Sequence, residues 1–209
     1  MSQIEEQSIS QFLNELASAS PTPGGGGAAA LMGAQAAALV SMVCNLTIGK
    51  PKYAEVETQM RAILDQSETL RTQFMRMITD DMAVFKKVMA AYGLPKETDV
   101  EKSVRTGAIQ EALKFATDVP LVCARASAEI IQLSRTAAEL GNLNVISDAG
   151  VATMAGFAAL KSAALNVYVN TGAIKDQAFT ESRLAELRDI LAGAEMTTEE
   201  VYQLVKSKL

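Results

Sequence analysis

Histidine is absent from the 209-residue chain. With it go the usual general base, the Ser-His and Cys-His nucleophile pairs and the commonest zinc ligand. Any catalysis must run on Asp, Glu, Lys, Tyr or Cys, and no metal site is expected. Only two cysteines occur, Cys44 and Cys123. Both fall in apolar helical pattern without paired spacing, which reads as reduced core thiols of a cytoplasmic protein and not as a disulfide. No Lys/Arg run is present and the net charge is −5, so a nucleic-acid partner is not expected. The four consecutive glycines Gly24 to Gly27 are not followed by Gly-Lys-Ser/Thr and do not fit a dinucleotide fingerprint, which removes both common phosphate-binding motifs. The opening MSQIEEQSIS is acidic and polar, unlike a signal peptide. No strand or hairpin signal appears anywhere, so the fold class expected is all-α.

Apolar residues make up 49% of the chain, enough for one substantial core and a single domain over residues 1–209. The organising stretch runs from Ser20 to Tyr53. It opens on Pro21, Pro23 and the four glycines, then becomes a small-residue apolar segment that closes at Gly49 and Lys50. Glycine lets backbone approach a ligand or another helix closely, and the following helix start offers free N–H groups. A Gly-rich hinge before a buried helix is the plainer reading of the same residues. The segment Gly26 to Ile48 is long and uncharged enough to raise the question of a membrane span. Gln35, Ser41, Asn45 and Thr47 interrupt it, and a buried central helix with no membrane is the expectation.

Helical periodicity covers the rest. An amphipathic helix is predicted over Ile4 to Ala17, a very long one over Tyr53 to Tyr92 stopped by Gly93-Leu94-Pro95, and another over Thr98 to Leu140 with a break or kink at Pro120. Two more are predicted over Asp176 to Leu191 and Thr197 to Leu209, the last capped by Thr197 or Thr198. Small residues recur at spacings of three and four in Gly27, Ala30, Ala34, Ala37, Ser41 and Cys44. They do so again in Ala149, Ala152, Gly156, Ala159 and Ala163, continuing into Asn166 and Asn170. Two such stripes predict a pair of central helices packed closely on each other or on a symmetry mate. Amides at the end of a buried stripe need partners, whether backbone, water or a ligand. Ser147 or Asp148 reads equally well as the N-cap of the second small-faced helix.

Several separated motifs occur in order: Pro21-Thr-Pro-Gly-Gly-Gly, Thr47-Ile-Gly49-Lys50, Asp81 to Phe85 followed by Leu94-Pro95-Lys96, then Gly141-Asn142 and Ser147-Asp148. Together, over nearly the whole chain, they resemble the cyclodeaminase/cyclohydrolase family of folate enzymes. The resemblance implies an all-helical homodimer with a tetrahydrofolate site associated with the subunit interface, and no cofactor beyond that substrate. Of the family's two activities, hydrolysis of 5,10-methenyltetrahydrofolate to 10-formyltetrahydrofolate is the one expected. The chain leaves no room for a formiminotransferase domain, and its GGGGAAA, SMVCNLTIGK, GNLNVISDAGVA and SAALNVYVN stretches look like the cyclohydrolase type. The cyclodeaminase type usually has Ser where Gly27 stands and lacks Asn at position 45. Release of ammonia from 5-formiminotetrahydrofolate is the alternative, and a non-catalytic folate-binding helical module is the alternative of another class.

The resemblance also implies site residues. Asp148 is expected to be the catalytic base, which requires a raised pKa, and Lys50 either assists the adduct or holds a folate carbonyl or carboxylate. Asp81 suits the pterin edge, with Asn142, Asn166 and Asn170 as neutral companions. Pro23, Gly24, Gly25, Gly26, Asn45 and Ser147 complete the expected substrate-binding set. Asp148 and Asn166 lie on one helix face about 27 Å apart, since each helical residue advances 1.5 Å. One subunit cannot bring both to the same reacting atom, but a dimer-related site can.

Overall fold

The computed structural model describes residues 7–209, and every described element is helical. Helix α1 (Ile9–Leu16) is short. It is followed by α2 (Gly25–Asn45), α3 (Glu57–Tyr92), α4 (Asp99–Leu140), α5 (Ile146–Thr171) and α6 (Gln177–Lys208). Two 3₁₀ turns, Pro51–Val56 and Leu143–Val145, lead into α3 and α5. The long helices are set by their ends. A capping box at Thr98 and Glu101 starts α4, the Asp176 carboxylate caps α6, and Ser8 caps α1. The expected first helix was to begin at Ile4, which lies outside the described residues.

The small-faced helices α2 and α5 pack on each other at the centre, with α3, α4 and α6 around them. Their missing side-chain volume is filled by neighbours. Phe74 of α3, fully buried, lies over Gly33, and Ile130 and Ile131 of α4 lie over Gly156. Helix α2 is long and apolar enough to cross a membrane, yet its stripe from Gly27 to Cys44 is buried among the other helices. That burial accounts for its composition. With 36 and 42 residues, α3 and α4 are about 54 and 63 Å long and outrun the roughly 32 Å of α2. Their far ends pair with each other over a separate small cluster of Ala91, Ile109 and Leu113.

Three expectations need correction. The chain closes with one helix, not two. Buried Leu187, Ala194, Thr198, Val201 and Val205 carry a single stripe through the supposed gap. Thr197 and Thr198 return their hydroxyls to the carbonyls of Gly193 and Ala194, at 3.1 and 2.7 Å, as interior helix residues do. Second, of the break or kink expected at Pro120 there is no break: α4 stays helical from Asp99 to Leu140. Proline deprives the carbonyl of Ala116 of its helical partner, and the Asn170 side chain supplies one from α5, with Nδ2 donating to Ala116 O at 2.6 Å. Third, neither Ser147 nor Asp148 caps α5. The helix starts at Ile146 behind Val145, with no side-chain cap, and Asp148 lies in the first turn.

The glycines give a direct test of close packing. A Cβ at Gly33 would run into the Phe74 ring, so Gly33→Ala should destabilise by about 1–3 kcal/mol. Gly193 is exposed in α6 with open space around it, so Gly193→Ala should stabilise by about 0.5–1 kcal/mol. Urea unfolding of the two variants beside wild type measures both signs.

Candidate active site

Helix α2 starts on glycines that carry no side chain to cap it. Gly24 is its N-cap and makes no side-chain cap bond. The cap arrives from α3 instead: Asp81 Oδ2 accepts from the backbone N–H of Gly27 at 3.1 Å. Asp81 packs so closely that a Cβ on Gly26 would overlap its carboxylate. Gly26 and Asp81 also line a small cavity of about 10 Å³ with Ala29, Ala30, Met77, Val119, Pro120, Cys123 and Ala163. In these apolar surroundings burial pushes the Asp81 carboxyl above its usual range, opposed only in part by the Gly27 N–H. The neighbouring Cys123 thiol is pushed up to about 12, chiefly by burial, and Cys44 likewise. Neither thiol is a nucleophile at neutral pH.

Around this end of α2 the structure gathers Pro23, buried, and Gly24, Gly25 and Gly26 with Asp81 and Asn166. The Asn166 amide would lie 3.8 Å from a Cβ placed on Gly25, and its Nδ2 donates to Ser162 O at 3.0 Å. The other expected residues lie elsewhere. Asn45 is the exposed last residue of α2, about 30 Å from Gly25. Lys50, also exposed, follows in the loop after Gly49, whose φ of +78° suits glycine. Asp148 is half-buried at the start of α5. Ser147 beside it faces a groove of about 330 Å³ between α5 and α6, lined by Val151, Met154, Tyr202 and Lys206 among others.

The expected residues therefore form two groups, one at each end of the α2/α5 pair. Asn142 and Asn170 belong to neither as free amides. Asn142 is 4% exposed. Its Nδ2 donates to Leu46 O at 2.9 Å, and its Oδ1 accepts from Asn144 N–H at 3.1 Å. Asn170 serves the carbonyl orphaned by Pro120. Sequence reasoning passed over Gly27, whose backbone holds Asp81, and Tyr53, whose hydroxyl accepts from Leu143 N–H at 3.1 Å. Gly27 stands in the sequence as part of the glycine run and the small-residue stripe, but nothing there points to its N–H, and nothing marks the Tyr53 hydroxyl. Among the described residues, no three His, Cys, Asp or Glu side chains are grouped to hold a metal ion.

An all-helical chain with a carboxylate held on a Gly-rich helix start matches the formiminotransferase-cyclodeaminase family over residues 8–189. The chain belongs to that family. It is 59% identical over 203 residues to the methenyltetrahydrofolate cyclohydrolase of Methylorubrum extorquens, covering 97% of this chain and 98% of that protein. The formimidoyltransferase-cyclodeaminase of Rattus norvegicus is 31% identical over 189 residues, which are 90% of this chain but 35% of the rat protein. The crystal structure of formiminotetrahydrofolate cyclodeaminase from Thermotoga maritima matches with a TM-score of 0.89 at 32% identity, covering 98% of both chains.

Burial of Asp81 has a thermodynamic signature. A carboxyl raised on folding stabilises fully below its unfolded pKa of about 3.9, and that contribution is lost as pH rises through the folded value. Asp81→Asn keeps an acceptor for Gly27 N–H without the buried charge. Its melting temperature should exceed that of wild type at pH 7, with the gap narrowing as pH falls toward 4. Melts across that range check the sign.

Proposed function

We propose that this chain is a methenyltetrahydrofolate cyclohydrolase, converting 5,10-methenyltetrahydrofolate and water to 10-formyltetrahydrofolate in folate one-carbon metabolism. The observation that carries the reading is the full-length 59% identity to the Methylorubrum extorquens cyclohydrolase, against about 31% to the rat cyclodeaminase. The substrate bridge is an amidinium cation, so its carbon is already electrophilic and the reaction needs no metal or covalent cofactor. Water attacks that carbon while a base removes its proton, giving a neutral carbinolamine. The C–N5 bond then breaks, N5 takes a proton, and the hydroxyl loses one to become the formyl carbonyl. The balance is one proton released per turnover.

Of the two carboxylates expected at the site, Asp81 has the surroundings a base needs near neutral pH. It is held by Gly27 N–H, its second oxygen lies against Gly26 at the site, and burial raises its pKa. A pKa nearer neutrality also lets the same group return the proton to N5. In this reading Pro23, Gly24, Gly25 and Gly26 admit the pterin with Asn166 beside it. Lys50, Asn45, Ser147 and Asp148 form a second part of the substrate-binding surface at the opposite helix ends.

A homodimer reconciles two parts about 30 Å apart, because a second copy can set one end of the helix pair beside the other end of its partner. The outward row of α5 supports it: Val151, Met154, Leu165 and Val169 are 45–77% exposed, an apolar face of the kind that marks an interaction surface. Light scattering should give twice the chain mass for wild type, and Val169→Asp should shift it toward the single chain with loss of turnover. A monomeric, fully active wild type would overturn this arrangement. The reading carries with it a cytoplasmic location and neither nucleic acid nor membrane as partner, in keeping with a net charge of −5 and two buried free thiols.

The deciding assay follows the absorbance of 5,10-methenyltetrahydrofolate beside a no-enzyme control, with 5-formiminotetrahydrofolate run in parallel for ammonia. Accelerated decay without ammonia is expected. Ammonia release with methenyl accumulation would make the chain a cyclodeaminase, and inactivity on both would leave a folate-binding module. Asp81→Asn should lower kcat by about 10²–10⁴, and Asp148→Asn by far less. The reverse order would return the base to Asp148.

A further inference from the structure

The motif residues Thr47 and Asn142 and the unassigned Tyr53 meet at the end of α2 remote from Asp81. Two consecutive backbone N–H groups of the turn after α4 donate to two hydroxyls of the loop after α2: Asn142 N–H to Thr47 Oγ1 at 2.9 Å, and Leu143 N–H to Tyr53 Oη at 3.1 Å. The hydroxyls pass their own protons on. Thr47 Oγ1 donates to Val43 O at 2.7 Å, and Tyr53 Oη donates to Asn142 Oδ1 at 3.4 Å. Asn142 adds a third tie through Leu46 O. Thr47 is 1% exposed. Tyr53 leaves helical geometry inside the 3₁₀ turn, at φ −115° and ψ 16°.

Lys50 stands midway between the two anchors, three residues from each. The turn they grip leads directly into Ser147 and Asp148. We propose that Tyr53 and Thr47 are positioning residues that fix the loop carrying Lys50 to the turn before α5, so that one rigid joint presents the Lys50 loop and the Ser147–Asp148 end together. This rests on the reading of Lys50 as part of the folate site. It also gives Asn142 a role other than contacting substrate: its polar atoms are engaged in holding the joint.

The test is a double-mutant cycle on the full-length protein. Tyr53→Phe removes both hydroxyl bonds and should lower kcat/KM about tenfold, the scale of a single interaction of roughly 1.4 kcal/mol. In the Lys50→Met background the same change should lower it no further, while the melting temperature falls equally in both backgrounds. Thr47→Ser should retain kcat/KM and Thr47→Val lose it, which keeps the proposal testable if Tyr53→Phe folds poorly. An equal loss of kcat/KM in both backgrounds would make the joint structural only and overturn the proposal. A Lys50→Met variant with wild-type kcat/KM would overturn it too, while leaving the cyclohydrolase reading intact. If wild type shows no turnover, that reading fails by itself, and the same cycle is measured as the Kd for 10-formyltetrahydrofolate. Coupling there supports the proposal and additivity overturns it.

Discussion

The start of a helix leaves backbone N–H groups without acceptors of their own, and α2 begins with glycines that have no side chain to offer, the N–H of buried Gly27 among them. The rest of the molecule adapts to that constraint. Asp81 must reach across from α3 to accept from Gly27, which requires α3 and α2 to lie close enough for a carboxylate to sit where a Gly26 Cβ would otherwise be. The closeness continues along the helix, where Phe74 of the same α3 occupies the space over Gly33. The small faces of α2 and α5 thus bring backbones near one another and leave a charged group among apolar atoms at one end. A carboxylate in that position costs stability and gains basicity.

The same accounting explains the buried polar residues. Pro120 interrupts the hydrogen bonding of α4 without interrupting the helix, because Asn170 repairs it from α5. Ser134 and Thr153 share a bond of 2.7 Å between α4 and α5, and Ser41 and Ser67 one of 2.8 Å between α2 and α3. In each case a small polar side chain fits where helices are too close for a larger one and answers a neighbour's hydrogen-bonding group. Polar residues on these faces serve the packing first. A ligand role then has to be argued from a group left with capacity to spare, which Asp81 has and Asn142 lacks.

The helical class and the pairing of the two small-faced helices were legible because both are written in periodicity, and backbone approach depends directly on residue size. Helix ends and interruptions were less so. Pro120 looked like a break because the compensating amide is 50 residues away, and Thr197-Thr198 looked like a cap because a hydroxyl bonded to the carbonyl four residues back has the same local signature. The separation of Asp148 from Asn166 was legible from 1.5 Å per residue, but the grouping of Asn166 with Gly25, Gly26 and Asp81 was not, since it depends on α2 and α5 running in opposite directions. The raised carboxyl of Asp81 could not be read at all, since its cause is Ala29, Ala30, Pro120, Cys123 and Ala163 converging from three helices.

Two site parts at the ends of rigid helices suit the reaction assigned to them. The proton transfers demand one carboxylate in a dry, fixed setting, and a helix start gripped by packed helices supplies that. On the function proposed above, the remainder of the folate meets the exposed polar and cationic groups of the loop around Lys50 and the opening of α5. If both lay on one flexible loop, solvation of the Lys50 side would also solvate Asp81 and lower its pKa toward the ordinary carboxylate range. Within one chain, separating them along α2 and α5 leaves the burial of Asp81 to the residues of α2, α4 and α5 that converge on it. How firmly each end is held then returns the burden to the close packing of those two helices.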